Sequence, residues 1–185
     1  MRPLRMVVTV GSDHHPFDRL VGWVDRWMDD HHDKVDLVVQ HGTARPPRHG
    51  RSIEFLQHKE LMRLIADADV VVLQGGPMGI VEARRMGHKP VAVPRMRSLG
   101  EVVDDHQMPF CRELARLGEI FVATREPTFR TALDVLLREP GAARPGASET
   151  TKHVDAAVRV FGDLTAALPA RRPLLPRRLR GRALQ

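Results

Sequence analysis

Three glycines and a glutamate lie in one stretch whose chemistry suits a bound anion or sugar. Gln74-Gly-Gly-Pro-Met-Gly79 is followed three residues later by Glu82. Gly75, Gly76 and Gly79 would let backbone N–H groups approach an anion at the N-terminus of a following helix, where the dipole also favours negative charge. From one turn into that helix, a carboxylate would accept hydrogen bonds from sugar hydroxyls. The stretch is predicted to hold a nucleotide or its sugar, although such glycines also serve close packing of a strand on a helix.

The surrounding chain predicts alternating strands and helices. Apolar runs rich in β-branched residues predict strands at 4–10, 36–40, 52–56, 69–73, 89–94 and 119–123, and helical spacing predicts helices at 16–31, 59–68, 80–87, 104–117 and 128–137. A linker at 139–148 and a last helix at 153–168 would follow. This alternation implies right-handed crossovers and an α/β, Rossmann-like parallel sheet with helices on both faces. We expect one domain over 1–168 and a proline- and arginine-rich basic tail over 169–185.

Polar and glycine-rich residues collect where this architecture places a ligand. Ligands of open parallel sheets bind beyond the carboxyl ends of the strands. The segments at those ends are 11–15, 40–42, 74–79 and 94–107, whereas the strands themselves are apolar. The predicted site therefore includes the glycine-rich stretch and the loops beside it.

Composition narrows the class of protein. The chain has 185 residues with 42% hydrophobic and 28% charged residues, which are values of a globular domain. It has no run of eighteen apolar residues and no signal-peptide pattern at its N-terminus, and its single cysteine, Cys111, excludes an internal disulfide. These features predict a cytoplasmic location, with Cys111 packed in a helix.

The positive charge belongs to the tail. Six arginines between positions 171 and 182 account for the whole net charge of +6. The rest of the chain has no basic stripe interleaved with aromatic residues, so nucleic-acid binding by the domain is not expected. The tail itself is open to three interpretations, namely contact with anionic lipid, contact with nucleic acid, or a solvated terminus.

Several segments together resemble the C-terminal domain of family 28 glycosyltransferases, the donor-binding half of a GT-B enzyme. They are 8–12 with 16–20, Gln40-His-Gly42, Gly75-Gly-Pro-Met-Gly-Ile-Val-Glu82, Pro94-Arg95, Gly100-Glu101 and Asp104-Asp-His-Gln107. The sequence is most similar to the free-standing form of that domain, the soluble subunit of the split N-acetylglucosaminyltransferase of dolichol-linked oligosaccharide synthesis and its relatives in exopolysaccharide biosynthesis. The resemblance covers roughly residues 4–125.

The resemblance assigns donor-binding roles by position. Glu82 matches the glutamate that holds the ribose hydroxyls, the segment from Gly75 and Gly76 through Met78 to Gly79 matches the turn around the diphosphate, and His106 with Gln107 matches the pair whose glutamine contacts the donor sugar. Gly11 and Ser12 match the loop beside the phosphates. Relatives usually carry Ser or Thr where Gly79 stands and a small residue where Met78 stands. The family implies a metal-independent reaction without a cofactor.

Two roles follow from the chemistry that such an enzyme requires. An inverting transfer needs a general base near the acceptor hydroxyl, and His14 with Asp13 are the candidates on this chain. The base of a split enzyme can equally lie on the partner. Arg95 would add a charge-assisted bond to the diphosphate, or would be an ordinary surface arginine.

Two clusters of Asp and His look like metal sites, but we attribute them to the high content of these residues rather than to metal binding. Asp13-His14-His15 lacks the earlier strand-end aspartates of the phosphoesterases that carry such a triplet. The run at 29–33, Asp-Asp-His-His-Asp, ends an amphipathic helix, and adjacent residues there point apart. No metal site is therefore expected.

The functional hypothesis is a hexosyltransferase subunit that binds a UDP-sugar. With a membrane-anchored, acceptor-binding glycosyltransferase subunit it would transfer the sugar, with inversion, to a lipid-pyrophosphate-linked saccharide in polysaccharide or glycan synthesis. That places it at the inner face of the cytoplasmic membrane, held there through its partner. The alternative is a non-catalytic, regulatory nucleotide-sugar-binding protein.

Overall fold

The structure is a computed structural model that describes residues 2–145. Strands and helices alternate along this part of the chain. The strands are β1 (Leu4–Thr9), β2 (Val35–Gln40), β3 (Arg51–Ile53), β4 (Val70–Gln74), β5 (Val91–Val93) and β6 (Phe121–Val122). The α-helices are α1 (Asp18–Met28), α2 (His58–Asp67), α3 (Pro77–Arg85), α4 (Gln107–Arg116) and α5 (Glu126–Arg138), with 3-10 turns at Arg97–Leu99 and Pro140–Ala143. The predicted last helix and basic tail lie outside the described residues.

All six strands of this region pair in parallel, in the order β3-β2-β1-β4-β5-β6. The predicted α/β, Rossmann-like parallel sheet is confirmed. The chain runs outward from β1 through β2 to β3 and then returns to begin again at β4, beside β1. The boundary between β1 and β4 is therefore the point where the strand order reverses, and a crevice opens at such a point.

Helices cover both faces of the sheet, as the apolar strands require. One layer of buried side chains joins α1 and α5 to the sheet, with Trp27 and Phe129 fully buried. The other joins α2, α3 and α4 through Ile65, Ile80 and Phe110. Successive residues of β4 alternate between these layers, which explains why its run of valines is apolar without interruption.

All five helix starts differ from the predictions by one to three residues, and the two largest differences, at α3 and α4, move site residues. Helix α3 begins at Pro77 rather than after Gly79, because proline at the first helical position has its φ preset and no N–H to lose. Gly79 consequently lies in the first turn of α3. Helix α4 begins at Gln107 rather than at 104, because Asp104 and Asp105 accept loop N–H groups, those of His106 and Arg97, and hold the chain in a loop.

The segment predicted to be a linker at 139–148 is structured over its described part. Residues 140–143 form a 3-10 turn, Ala143 is buried, and the N–H of Lys89 donates to the carbonyl of Ala143. Arg144 then donates to the carbonyls of Ala66 and Ala68. The prediction of a linker is therefore wrong up to residue 145, because these backbone contacts fix the chain to the sheet.

Candidate functional site

A cleft of about 270 Å³ opens at the carboxyl ends of β1 and β4, where the strand order reverses. Six residues predicted for the site from the sequence line this cleft, namely Gly11, Ser12, Gly76, Met78, Gly79 and Glu82. The other lining residues come from α2 (His58, Leu61, Met62 and Ile65) and from the strands and the loop around it (Thr9, Gln40, Phe55, Leu56, Leu73 and Gln74). Phe55 and Met78 are exposed at the mouth. The topology thus brings one loop after β1 and one after β4 to a common cavity.

The structure differs in how strictly it requires glycine at each position of these loops. Gly11 has a φ of +79°, a conformation that side chains rarely adopt, and it lies against the amide of Gln74. A Cβ on Gly75 would lie 2.8 Å from the Cα of Pro94 and 2.9 Å from the Sγ of Cys111. Gly79 is different, because a Cβ there would have no neighbour within 4 Å. Close packing therefore requires Gly75, whereas space for a side chain exists at Gly79.

The N-terminus of α3 lies at the cleft without a side-chain cap. Gly76 is its N-cap residue and makes no side-chain hydrogen bond, and Pro77 has no N–H. The first N–H groups of a helix have no partner within that helix, and the dipole adds a partial positive charge there. Gly76, Met78 and Gly79 all line the cleft. This end of α3 can therefore accept an anionic group.

Glu82 projects from the second turn of α3 into the same cleft. Its Oε1 lies 2.6 Å from the Nε2 of His58, the first residue of α2. The side chain of Glu82 is 21% exposed and that of His58 is 70% exposed. The pair connects α2 and α3 across the cleft and leaves the second carboxylate oxygen of Glu82 for a ligand.

Arg95 is fully buried beneath the cleft, so the alternative of a surface arginine is wrong. Its guanidinium donates to the carbonyls of Val10, His15 and Glu101, at 2.8, 2.8 and 2.9 Å, and to Oε1 of Gln74 at 3.0 Å. Burial lowers the pKa of Arg95, while the carboxylates of Asp13 and Glu101 act in the opposite direction. The guanidinium thereby joins the loops after β1 and β5, and its role in donor binding stays a prediction.

Gln107 belongs to the same buried network. Its Oε1 accepts the backbone N–H of Arg95 at 3.0 Å, and its amide lies 3.3 Å from Oε1 of Gln74. His106 lies beside it, half-buried, with its ring against Asp104. Neither His106 nor Gln107 lines the cleft between β1 and β4. Their predicted contact with a donor sugar stays a prediction.

Glu101, the acidic residue in the loop after β5, has a structural role. Both of its oxygens accept from Arg19 of α1, each at 2.8 Å, and Oε2 also accepts the N–H of Met96 at 2.9 Å. Arg19 donates further to the carbonyl of Pro94 at 2.8 Å. This ion pair is 15% and 6% exposed, so it fixes the loop to α1 and leaves little of either charge for a ligand.

The structure pairs Asp13 with His15 rather than with His14. Oδ1 of Asp13 accepts the backbone N–H of His15 at 2.8 Å and lies 2.6 Å from its ring Nδ1, whereas Nδ1 of His14 is 3.7 Å away. Burial raises the pKa of Asp13, but these hydrogen bonds from His15 and the charge of Arg95 outweigh it and place that pKa below its usual value. Ligand-type atoms of the three residues lie within 4.8 Å of one another, although the His15 hydrogen bonds already engage Oδ1. The general-base role of Asp13 and His14 stays a prediction.

The remaining candidates from the sequence are structural. The acidic and histidine-rich run at 29–33 does not converge, since Asp29 pairs with Arg48 and His49 while Asp30 pairs with Arg130. Cys111 is fully buried, and burial raises the pKa of its thiol to about 12. Among helices formed by residues 2–145, none is long and apolar enough to cross a membrane.

Three residues of the site received no role from the sequence, although two of them, His15 and Gln74, lie in segments predicted to form it. Gln74 ends β4 and connects Arg95 with Gln107, and its position at the end of a buried strand was the available signal. His15 and His58 reach their partners through the loop after β1 and the start of α2. No spacing in the sequence indicates the contact between His58 and Glu82, because it depends on how α2 packs beside α3.

Comparison with known proteins gives a likeness in structure alone. No protein-family model and no curated protein matches the chain. The solved structures with a similar fold include the three that follow. An NMR structure of ALG13 has a TM-score of 0.55 at 15% identity over 86% of this chain and 95% of that one.

The other two structures are longer than this chain. MurG of Acinetobacter baumannii has a TM-score of 0.60 at 17% identity, over 89% of this chain and 50% of that one. The glycotransferase of kitacinnamycin has a TM-score of 0.58 at 18% identity, over 90% of this chain and 41% of that one. The chain thus spans about half the length of these two proteins. The described region has the Rossmann-like fold of one half of a GT-B glycosyltransferase, which fits the resemblance to the C-terminal domain of family 28.

Proposed function

We propose that this protein binds a UDP-sugar and acts as the donor-binding subunit of a hexosyltransferase. The observation that carries the proposal is the cleft at the strand-order reversal, where the uncapped N-terminus of α3, Gly79 and Glu82 face one cavity. In this arrangement the N-terminus of α3 binds the diphosphate, and the carboxylate of Glu82 accepts hydrogen bonds from the ribose hydroxyls. The likeness in fold to ALG13 and to MurG supports the same class of protein.

The chemistry of transfer depends on the same groups. When a sugar leaves UDP, negative charge grows on the departing diphosphate. Backbone N–H groups and a helix dipole that are already oriented stabilise that charge without reorganisation. The N–H groups of the first turn of α3, around Met78 and Gly79, would do this. The step as proposed needs no metal or cofactor, because fixed dipoles supply the electrostatic stabilisation.

A second subunit completes the proposed site. Ligand pockets for drug-sized molecules are commonly about 300–1,000 Å³, and the cleft of about 270 Å³ lies just below that range. The two longer neighbours, of which this chain covers 41% and 50%, place the same fold within larger proteins. We propose that a membrane-anchored glycosyltransferase subunit supplies the other wall and binds the lipid-linked saccharide, at the cytoplasmic face of the membrane. The chain alone would then bind the donor but transfer no sugar.

The test is calorimetric titration of the purified chain with UDP. Binding should weaken at least tenfold in Glu82→Ala, since the ribose loses a charged acceptor, and should be unchanged in the matched control Glu60→Ala, which removes an exposed glutamate from α2. UDP binding without transfer, once the partner is present, would favour the regulatory alternative that the missing hydroxyl at Gly79 suggests. Absence of UDP binding by the chain and by its complex would overturn the proposal.

A further inference from the structure

His58 is the one residue of α2 that forms a hydrogen bond with the proposed ribose-binding glutamate. Its Nε2 lies 2.6 Å from Oε1 of Glu82, and both side chains line the cleft. The backbone places them on different helices, with His58 at the first position of α2 and Glu82 in the second turn of α3. This contact therefore fixes the carboxylate relative to a second wall of the cleft.

We propose that His58 is a positioning residue that holds Glu82 in the orientation that binds the ribose, and that it thereby contributes to the preference for a ribonucleotide. The inference rests on the proposed function.

The stereochemistry of a carboxylate allows His58 and a ribose to bind at the same time. An ionised carboxylate offers about four acceptor positions on its two oxygens. His58 engages one position on Oε1, which leaves Oε2 and the second lone pair of Oε1 for two neighbouring hydroxyls. The contact therefore orients Glu82 without excluding the ligand.

The orientation matters because a glutamate side chain is flexible. Glu82 is 21% exposed, and the only hydrogen bond that its carboxylate makes within residues 2–145 is the one to His58. Ordering a free side chain when a ligand binds opposes association. With His58 in place, that ordering is completed before the nucleotide arrives. Loss of the contact should weaken binding about two- to tenfold, as the ordering of one flexible side chain implies.

His58 is suited to this role by its own environment. It is 70% exposed and makes no other hydrogen bond within residues 2–145, so its replacement should leave the fold intact. The first position of α2 gives it a fixed backbone, since the Gln57 carbonyl accepts the N–H groups of Glu60 and Leu61. A side chain that is dispensable for packing yet bonded to the site carboxylate can be tested without damage to the core.

The experiment measures the dissociation constants of UDP and of 2′-deoxyuridine diphosphate by calorimetry at one pH. Four variants are compared with the wild type: His58→Ala removes the donor, His58→Phe keeps bulk without a donor, His58→Gln restores an N–H donor, and Glu82→Ala removes the acceptor. We expect Ala and Phe to weaken UDP binding two- to tenfold and to reduce the preference for UDP over the deoxynucleotide. His58→Gln should restore most of the UDP affinity and most of the preference for UDP over the deoxynucleotide.

Two further results separate positioning from a general disturbance. In the Glu82→Ala background, His58→Ala should have no additional effect, because a residue that acts through Glu82 has nothing left to orient. Thermal unfolding of all variants should match the wild type. Three results would overturn the inference: His58→Ala weakens the binding of both nucleotides equally, His58→Ala has its full effect in the Glu82→Ala background, or His58→Ala leaves UDP binding unchanged. UDP binding by the wild type would still uphold the proposed function in each case. If neither the wild-type chain nor its complex with the partner binds UDP, the proposed function fails and the inference with it.

Discussion

Asp13 and His15 form a paired carboxylate and imidazole at the end of the loop that follows β1. The ring Nδ1 of His15 lies 2.6 Å from Oδ1 of Asp13, and its Nε2 has no hydrogen-bond partner within residues 2–145. A carboxylate that accepts Nδ1–H fixes the tautomer and leaves Nε2 with a lone pair, which is the arrangement of a general base and its orienting acid. The geometry therefore favours His15 over His14 as the base of the proposed transfer.

If that base lies on this chain, His15→Gln should lower kcat of the complex with the acceptor-binding subunit by about 10²- to 10⁴-fold. His14→Gln tests the base predicted from the sequence, and it should lower kcat less, because the side chain of His14 is 82% exposed and its Nδ1 is 3.7 Å from Asp13. Calorimetry should show unchanged UDP binding in both variants. Wild-type kcat in both variants would assign the base to the partner subunit.

The tautomer can be measured on the chain alone. Long-range ¹H–¹⁵N NMR spectra should show His15 with its proton on Nδ1 at a pH where the ring is neutral. Asp13→Asn should mix the two tautomers, because an amide can either donate to or accept from the ring. An unchanged spectrum of Asp13→Asn would mean that Asp13 does not fix the tautomer of His15.

Arg95 is predicted to stabilise the fold through the loops that it joins. Its removal leaves the buried carbonyls of Val10 and Glu101 and the partly buried carbonyl of His15 without this donor. Each unsatisfied buried group costs about 1–3 kcal/mol, so Arg95→Met should lower the free energy of unfolding by at least about 2 kcal/mol in a urea titration. Arg95→Lys should recover only part, since an ammonium lacks the planar fork that reaches several acceptors. Arg97→Met, at an exposed position, is the control and should change little.

Gly79 and Gly75 should respond oppositely to a side chain. A Cβ at Gly79 has no neighbour within 4 Å, whereas one at Gly75 would lie 2.8 Å from the Cα of Pro94. Gly79→Ser should keep or slightly raise stability by about 0.5 kcal/mol, because serine is the better helix residue. Its hydroxyl should also strengthen UDP binding about tenfold if the diphosphate lies at this turn.

Gly75→Ala is the control for Gly79→Ser. Gly75→Ala should destabilise the protein, because backbone rather than a flexible side-chain end opposes the added methyl group. The readouts are urea unfolding and calorimetry with UDP. If Gly79→Ser leaves UDP affinity unchanged, the phosphates do not bind at the N-terminus of α3.

These residues show how far the sequence leads. The run at β4 and its glycines predicted both a buried strand and the loop at the cleft, because apolar β-branched runs and glycine act locally. Arg95 was placed at a surface or at a ligand, since nothing local indicates that four carbonyl and amide oxygens from distant segments would surround it. The contact between His58 and Glu82 likewise depends on the packing of α2 beside α3. Local patterns predicted the elements but not their exact ends, and tertiary packing decided the partners.

Asp69 should make stability depend on pH in the acid range. It accepts hydrogen bonds from both Nη groups of Arg2, at 2.6 and 2.7 Å, and from the N–H of Arg5 at 2.8 Å. The hydrogen bonds from Arg2 lower the pKa of Asp69 from 3.8 to about 2, against an opposing effect of burial. A carboxyl whose pKa is lower in the folded state stabilises the fold above its unfolded pKa and loses that contribution as the pH falls through the folded value.

The wild type should therefore exceed Asp69→Asn in free energy of unfolding at pH 6, and the difference should shrink between pH 4 and pH 2. Asparagine keeps an oxygen for the N–H of Arg5, so the difference reports the charged contacts of Asp69 with the guanidinium groups of Arg2 and Arg5. Urea titrations of both proteins across this range give the measurement. A difference that stays constant down to pH 2 would show that the carboxylate charge does not contribute.

Cys111 should be inert in the native protein. Its thiol is fully buried in α4, with Sγ 3.7 Å from the carbonyl of Gly75, and burial raises its pKa to about 12. Reaction with iodoacetamide requires the thiolate and access to it. At pH 8 we expect no alkylation in native buffer and complete alkylation in 6 M guanidinium chloride, measured by intact mass. Rapid native alkylation would mean that the contact between α4 and the loop after β4 opens, and Gly75 would then move together with the cleft that it adjoins.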